Sequence, residues 1–241
     1  MLVTLLILCF VGFSSCTDSV ENRLHRKLFD NYNPYVRPTT NSSAAVNVNI
    51  NFTLESIRKL ESSSQTLVAS IWIIFTWRDD FLVWNKTDYE EIDRISIPAK
   101  MVWVPDLYFS NSLSLQSGIL TPGEYKLSVD NNGTVNWYIG RTTETHCKMN
   151  LEKFPFDTQT CSISLAPWTS TVSEVKLSKK EILDLQGTSG TWHVGHLLAK
   201  DEFMDDAHHY RVGFGVNFIC HNCNVFDDGK CVIYTYLWSK I

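Results

Sequence analysis

No ready-made catalytic motif is present in this chain. The 241 residues contain no G-x-S-x-G, no H-E-x-x-H and no glycine-rich phosphate loop. A basic excess is also missing. The formal net charge is −5, whereas a nucleic-acid binder carries a basic face, so no nucleic-acid partner is expected. Eleven glycines, seven prolines and no low-complexity tract exclude collagen, coiled coil and wholesale disorder. Beyond the N-terminus nothing approaches about eighteen uninterrupted apolar residues, so no transmembrane segment is expected in the mature chain.

What is present suits one folded domain rich in strands. The chain is 44% hydrophobic and 12% aromatic, with eight Trp, a balance that favours strands over helices. Residues 1–13 are apolar apart from Thr4 and lead into Ser14, Ser15 and Cys16. That is an h-region with a cleavage zone, so residues 1–16 read as a signal peptide and 17–241 as the mature, secreted domain. Four Asn-x-Ser/Thr sequons, at Asn41, Asn51, Asn85 and Asn132, suit a glycosylated extracellular surface. Seven cysteines fall to five once Cys9 and Cys16 are removed, and an oxidising compartment favours disulfides over thiols. An odd count leaves one thiol free or paired between chains.

One segment reads as helix. Asp18 is the expected N-cap, with Glu21 three residues on, and Val20, Leu24 and Leu28 share a face. Asn31-Tyr32-Asn33-Pro34 ends it. Afterwards the pattern alternates with period two. Ala69, Ile71, Ile73, Phe75 and Trp77 form a core face, which places Trp72 outside. Val135, Trp137 and Ile139 oppose Thr134, Asn136 and Tyr138 after an Asp130–Gly133 turn. Tyr210 to Phe218 alternates again, and a further strand is expected over 231–240 after a polar turn at Asp227-Asp228-Gly229. Short strands at this spacing point to a β-sandwich without an internal linker.

The cysteines and histidines near the C-terminus admit several readings. Cys223 beside His221 is a weak nucleophile–base pair, because a turn rarely holds that geometry. Cys220-His221-Asn222-Cys223, with Cys231 and His208 or His209, has one metal-like spacing but lacks a second ligand pair, so no metal is expected. A disulfide from Cys220 to Cys231 across the hairpin, or to Cys223 at its tip, fits the compartment better. The most specific feature is the thirteen-residue segment between Cys147 and Cys161, which encloses Phe154-Pro155-Phe156-Asp157. Closed by a disulfide, such a loop would contribute about 3 kcal/mol through chain entropy.

The order and spacing of several short markers now carry a resemblance. They are Arg26-Lys27-Leu28, Asn31-Tyr32-Asn33-Pro34 and Arg37-Pro38, then Trp72-x4-Trp77-x-Asp79-x4-Trp84. Trp103-x-Pro105-Asp106, the Cys147–Cys161 segment and Gly190-Thr191-Trp192 follow. From about Arg26 to Leu237 the chain resembles the extracellular ligand-binding domain of Cys-loop (pentameric ligand-gated) receptors, nearest in plan to nicotinic receptors and soluble acetylcholine-binding proteins. The resemblance implies an N-terminal α-helix on a roughly ten-stranded immunoglobulin-like β-sandwich, a Cys147–Cys161 disulfide and a homopentamer. It implies a non-enzymatic protein without cofactors that holds a small ligand at subunit interfaces.

Carried over position by position, the implied principal face comprises Ser110, Trp168, Phe218 and Phe226. The implied complementary face comprises Trp72, Ile74, Asn136 and Tyr138. Trp77, Trp84 and Trp103 are expected in the core. Ser110 stands where the cholinergic pattern has a tyrosine, and Cys220 and Cys223 replace an adjacent cysteine pair. Two Trp and a Phe still offer π-faces to a small amine or quaternary ammonium ligand. The expected function is therefore a secreted, soluble ligand-binding homologue. The alternatives are the ectodomain of a channel subunit, which shares ligand recognition and adds gating, and a structural β-sandwich that binds no small molecule.

Overall fold

The computed structural model describes residues 18–114, 119–121, 123, 125–152, 158–184, 192–203 and 210–220, those from 180 onward by backbone alone. Helix α1 (Val20–Phe29) packs Leu24 and Leu28, four residues apart on one face, into the core. Its N-cap is Ser19 and not Asp18: the Ser19 hydroxyl accepts from the Asn22 backbone N–H at 3.2 Å. Asp18 pairs instead with Arg26. Glu21 in the first turn and Arg26 and Lys27 in the last turn complement the helix dipole.

The strands are β1 (Val46–Glu61), β2 (Thr66–Val83), β3 (Arg94–Pro98), β4 (Leu107–Phe109), β5 (Lys126–Asp130), β6 (Asn132–His146), β7 (Thr158–Pro167), β8 (Val175–Asp184), β9 (Trp192–Phe203) and β10 (Tyr210–Cys220). One sheet runs in the order β3-β5-β6-β2-β1-β8 and the other β4-β7-β10-β9. Most neighbours are antiparallel; β1 and β8 are parallel. Side chains of both sheets meet in one apolar core, with Ile71, Phe75, Val135 and Trp137 from the first and Leu107, Phe109, Ile163 and Leu165 from the second. The architecture is mainly β, with an N-terminal helix and two sheets.

Period-two alternation holds from Ile71 to Asp80 of β2 and from Asn132 to Gly140 of β6, whereas 163–167 of β7 are all buried and β1 is interrupted by bulges. Ala69, Ile71, Ile73 and Phe75 are fully buried and Trp77 nearly so. Trp84 and Trp103 are buried as expected: the Trp84 indole N–H donates to the Ile92 carbonyl at 2.7 Å, and Trp103 meets Trp77 edge-on. At the β5–β6 turn Gly133 adopts φ +83°, where a Cβ would lie 2.3 Å from the Asp79 carbonyl oxygen, so only glycine fits. Cys147 and Cys161 form a disulfide between the end of β6 and the middle of β7. Cys223, Phe226, Cys231 and the strand expected over 231–240 lie outside the described residues.

Candidate functional site

Two surfaces of the domain carry exposed aromatics, one on each sheet. The first is the outward face of β2 and β6. Trp72 is 47% exposed and Tyr138 46% exposed, although Ile71, Ile73, Trp137 and Ile139 beside them are buried. Ile74 lies directly opposite Tyr138, and Thr76 opposite Asn136. The Thr76 hydroxyl donates to the Asn136 side-chain oxygen at 3.0 Å. Trp72 is paired with Gly140, over which its indole lies. The fold therefore brings Trp72, Ile74, Asn136 and Tyr138 together on one face.

The second surface sits where β4 and β7 meet. The turn before β4 is anchored from below. Tyr32, just past α1, donates its hydroxyl to Asp79 Oδ2 at 2.6 Å and accepts from the Trp103 N–H at 3.0 Å. Asp79 is fully buried and also accepts from the Phe81 N–H at 2.9 Å. Burial raises the Asp79 pKa, with the Tyr32 and backbone donors opposing the rise. Burial, then the Asp79 charge, pushes the Tyr32 phenol well above its ordinary range.

Above that anchor, Asp106 holds the segment that follows β7. Its carboxylate accepts from the Thr169 N–H (2.7 Å), the Thr169 hydroxyl (2.5 Å) and the Ser170 hydroxyl (2.6 Å). Its backbone carbonyl accepts from the Trp168 N–H at 2.7 Å. Trp168, 47% exposed, is thereby fixed at the backbone while its ring stays open to solvent. The Tyr108 ring meets it edge-on with centroids 5.0 Å apart.

Ser110 faces the same way as Tyr108, since Leu107 and Phe109 are both buried. Its N–H donates to the Ser164 carbonyl at 2.8 Å, and its hydroxyl reaches the same oxygen at 3.4 Å. The ring that abuts Trp168 thus comes from position 108. The sequence pattern hid Tyr108 because the contact arises from the pairing of Tyr108 with Ala166, far apart in the chain.

Phe218 is not brought to Trp168. The register sets Phe218 opposite Gln159, at the start of β7, whereas Trp168 follows its end at Pro167. Nine residues from Gln159 to Trp168 separate the two by about 30 Å at about 3.3 Å per residue. The β10 residues level with Trp168 lie at the other end of the strand. Val212 pairs with Leu165, so Tyr210 falls level with Pro167 and is paired in turn with Phe203 of β9. Strand pairing across the second sheet, which local alternation does not encode, sets Phe218 at the start of β7. Phe226 lies outside the described residues, as do His208, His209 and Cys223.

Both aromatic surfaces are open in a single chain. The groove of about 370 Å³ beside α1 is lined by residues such as Lys27, Tyr32 and Phe81 and includes neither Trp72 nor Trp168. Among the described residues no His, Cys, Asp and Glu group is arranged to hold a metal. No helix among them is long and apolar enough to cross a membrane.

Comparison with known proteins matches the sequence to a family. Residues 21–205 match the neurotransmitter-gated ion-channel ligand binding domain. The chain is 32% identical over 151 residues to neuronal acetylcholine receptor subunit alpha-9-II of Oncorhynchus mykiss, covering 63% of this chain and 27% of that protein. It is 30% identical to the alpha-9 subunit of Rattus norvegicus, over 64% of this chain and 32% of that one. With the acetylcholine receptor subunit alpha-type acr-16 of Caenorhabditis elegans it shares 29% identity over 83% of this chain and 38% of that one. The chain thus spans about a third of the length of these relatives. Domains of the matched family are extracellular and non-enzymatic, and they form pentamers that bind ligands at subunit interfaces. Because the match spans most of the sequence, the chain belongs to the neurotransmitter-gated ion-channel ligand-binding domain family.

Proposed function

We propose that this domain binds a small amine or quaternary ammonium ligand between two copies of the chain, in a homopentameric ring. Trp168 and Tyr108 supply one wall, and Trp72, Ile74, Asn136 and Tyr138 of the next copy supply the other. The observation that carries this reading is the placement of two open indoles, Trp72 and Trp168, on different sheets of one domain. Two walls on different sheets of one domain meet across a head-to-tail neighbour, and head-to-tail contacts form a ring when the rotation between copies closes. Each aromatic face offers a cation about 0.5–2 kcal/mol. The Ser110 hydroxyl is turned to a backbone carbonyl, so Tyr108 is the phenol of this wall. The third side comes from the end of β9 and β10 near Phe203 and Tyr210.

The domain adopts the immunoglobulin-like sandwich of ten strands, enters the secretory pathway through residues 1–16 and acts as a soluble binding protein. The ectodomain of a channel subunit is the second reading. It is favoured by relatives that are receptor subunits, of which the matched region covers 27% and 32%. Light scattering on the purified protein, followed by titration of a quaternary ammonium library against tryptophan fluorescence, tests the binding reading. A five-chain particle whose fluorescence responds supports it, and a monomer or a silent library sinks it. The position of the stop codon in the transcript separates a soluble protein from a channel subunit.

A further inference from the structure

Two of the four sequons, at Asn41 and Asn85, lie in loops, and Asn132 is the first residue of β6, at the β5–β6 turn. Asn41, Asn85 and Asn132 are exposed, and each accepts through its side-chain oxygen from the backbone N–H two residues on. Asn51 differs. It lies within β1, between fully buried Ile50 and Phe52, so its side chain faces outward. Directly opposite it on β2 is Ile74, and directly opposite Ile74 on β6 is Tyr138. The sequon threonine, Thr53, is opposite Trp72. Facing side chains on paired strands lie about 5 Å apart and diagonal ones about 7–8 Å. The Asn51 carboxamide therefore stands beside the residues assigned above to the complementary wall.

We propose that N-glycosylation of Asn51 blocks the outward face of β1, β2 and β6, so that a chain carrying it cannot seat a neighbouring copy over Trp72 and Tyr138. This rests on the reading that a second copy covers that face. In the modification, the Asn51 side-chain nitrogen loses one proton and bonds to C1 of an oligosaccharide carried by a lipid pyrophosphate. The C1–O bond breaks and the lipid pyrophosphate leaves. The attached glycan is bulky and strongly hydrated. Rooted in the middle of a flat sheet face, it has no turn to carry it clear of the interface. Glycans at Asn41 and Asn85 leave from loops and one at Asn132 from the end of β6, so they do not compete. Occupancy of one sequon thus sorts chains into those that assemble and those that do not.

The test is to express the full chain in a secreting eukaryotic cell and separate assembled from unassembled protein by size. Glycan occupancy of the Asn51 peptide is then mapped in each pool by enzymatic deglycosylation in heavy-oxygen water. The expected result is a bare Asn51 in the ring and a modified Asn51 in the unassembled pool. Asn51→Gln and Thr53→Ala should each enlarge the ring fraction, while Asn41→Gln should not. A glycan on Asn51 at equal occupancy in both pools overturns the proposal and leaves the interface reading intact. A bare Asn51 in both pools does the same. If no ring forms from the parent chain, Asn51→Gln or Thr53→Ala, the interface reading fails and takes this proposal with it.

Discussion

The indole of Trp72 lies across Gly140, its strand partner on β6. A Cβ placed on Gly140 would come within 2.7 Å of the ring. Glycine is weak in strand interiors, and an aromatic laid over it restores the covering that the missing side chain would have given. The contact also fixes which way the half-exposed indole leans. Gly140→Ala should therefore displace Trp72 while leaving the buried partners of β6 in place. Its fluorescence emission should shift, and affinity for a fluorescence-active ammonium ligand should fall by about 1 kcal/mol, the scale of one aromatic contact. An unchanged spectrum and affinity would mean that the ring orientation does not matter to the site.

The Trp168 wall makes a separate claim. Trp168→Ala should weaken binding by more than about 1 kcal/mol by calorimetry. Tyr108→Ala should weaken it less, because Tyr108 supports the indole edge-on. Ser110→Tyr should strengthen binding of small quaternary amines by adding a phenol beside Tyr108. No gain from that change would show that the pocket has left cholinergic chemistry.

Much of this arrangement was legible in the sequence, for a physical reason. A half-buried strand writes its facing into alternate residues, so the outward position of Trp72 and Tyr138 and the burial of Trp77 and Trp137 followed from parity alone. The Cys147–Cys161 disulfide followed from the family resemblance and not from parity, and the structure contains it. What escaped depended on which strands pair. Tyr108 reaches Trp168 through the β4–β7 ladder, and Phe218 is carried away from it by the β7–β10 register. No local pattern encodes either pairing. The cap at Ser19 escaped for a smaller reason, since Asp18 and Ser19 are both good caps and the choice turned on the pairing of Asp18 with Arg26.

The Tyr32–Asp79 pair sets a pH dependence. The folded chain holds the Asp79 proton more tightly than the unfolded chain, whose carboxyl titrates near about 3.9. Between that value and the raised folded pKa, unfolding releases a proton, so this group makes stability fall as pH rises through the window. The raised Tyr32 pKa acts in the same direction above about pH 10, where the unfolded phenol ionises and the folded one does not. Asp79→Asn keeps an acceptor for the Tyr32 hydroxyl and removes this titration, so its stability as pH rises above about 4 should be flatter than the parent's. Tyr32→Phe should cost about 1–3 kcal/mol, because Asp79 loses a donor in a buried site. Denaturant midpoints across pH check both, and parallel curves for Asp79→Asn and the parent would refute the assignment.

The disulfide should matter to stability more than to the shape of the walls. It closes the loop between Cys147 and Cys161, and its removal frees chain entropy worth about 3 kcal/mol in the unfolded state. The double change Cys147→Ser with Cys161→Ser should lower the denaturation midpoint accordingly. Peptide mapping of the native protein should find neither cysteine open to alkylation; recovery of alkylated Cys147 would remove the bond from the account.

The last prediction turns on the register of the second sheet. Because Phe218 is set opposite Gln159, at the far end of β7 from Trp168, Phe218→Ala should leave ligand affinity unchanged within about 0.5 kcal/mol. Tyr210 falls level with Pro167, next to Trp168, so this end of β10 should sense the ligand. An environment-sensitive thiol label attached through Tyr210→Cys should change its emission on saturation with an ammonium ligand. The same label at Phe218→Cys should not respond, because about 26 Å of strand lies between the two positions at about 3.3 Å per residue. A response at 218 and silence at 210 would place the ligand at the opposite end of the sheet, and the wall built on Trp168 and Tyr108 would have to be abandoned.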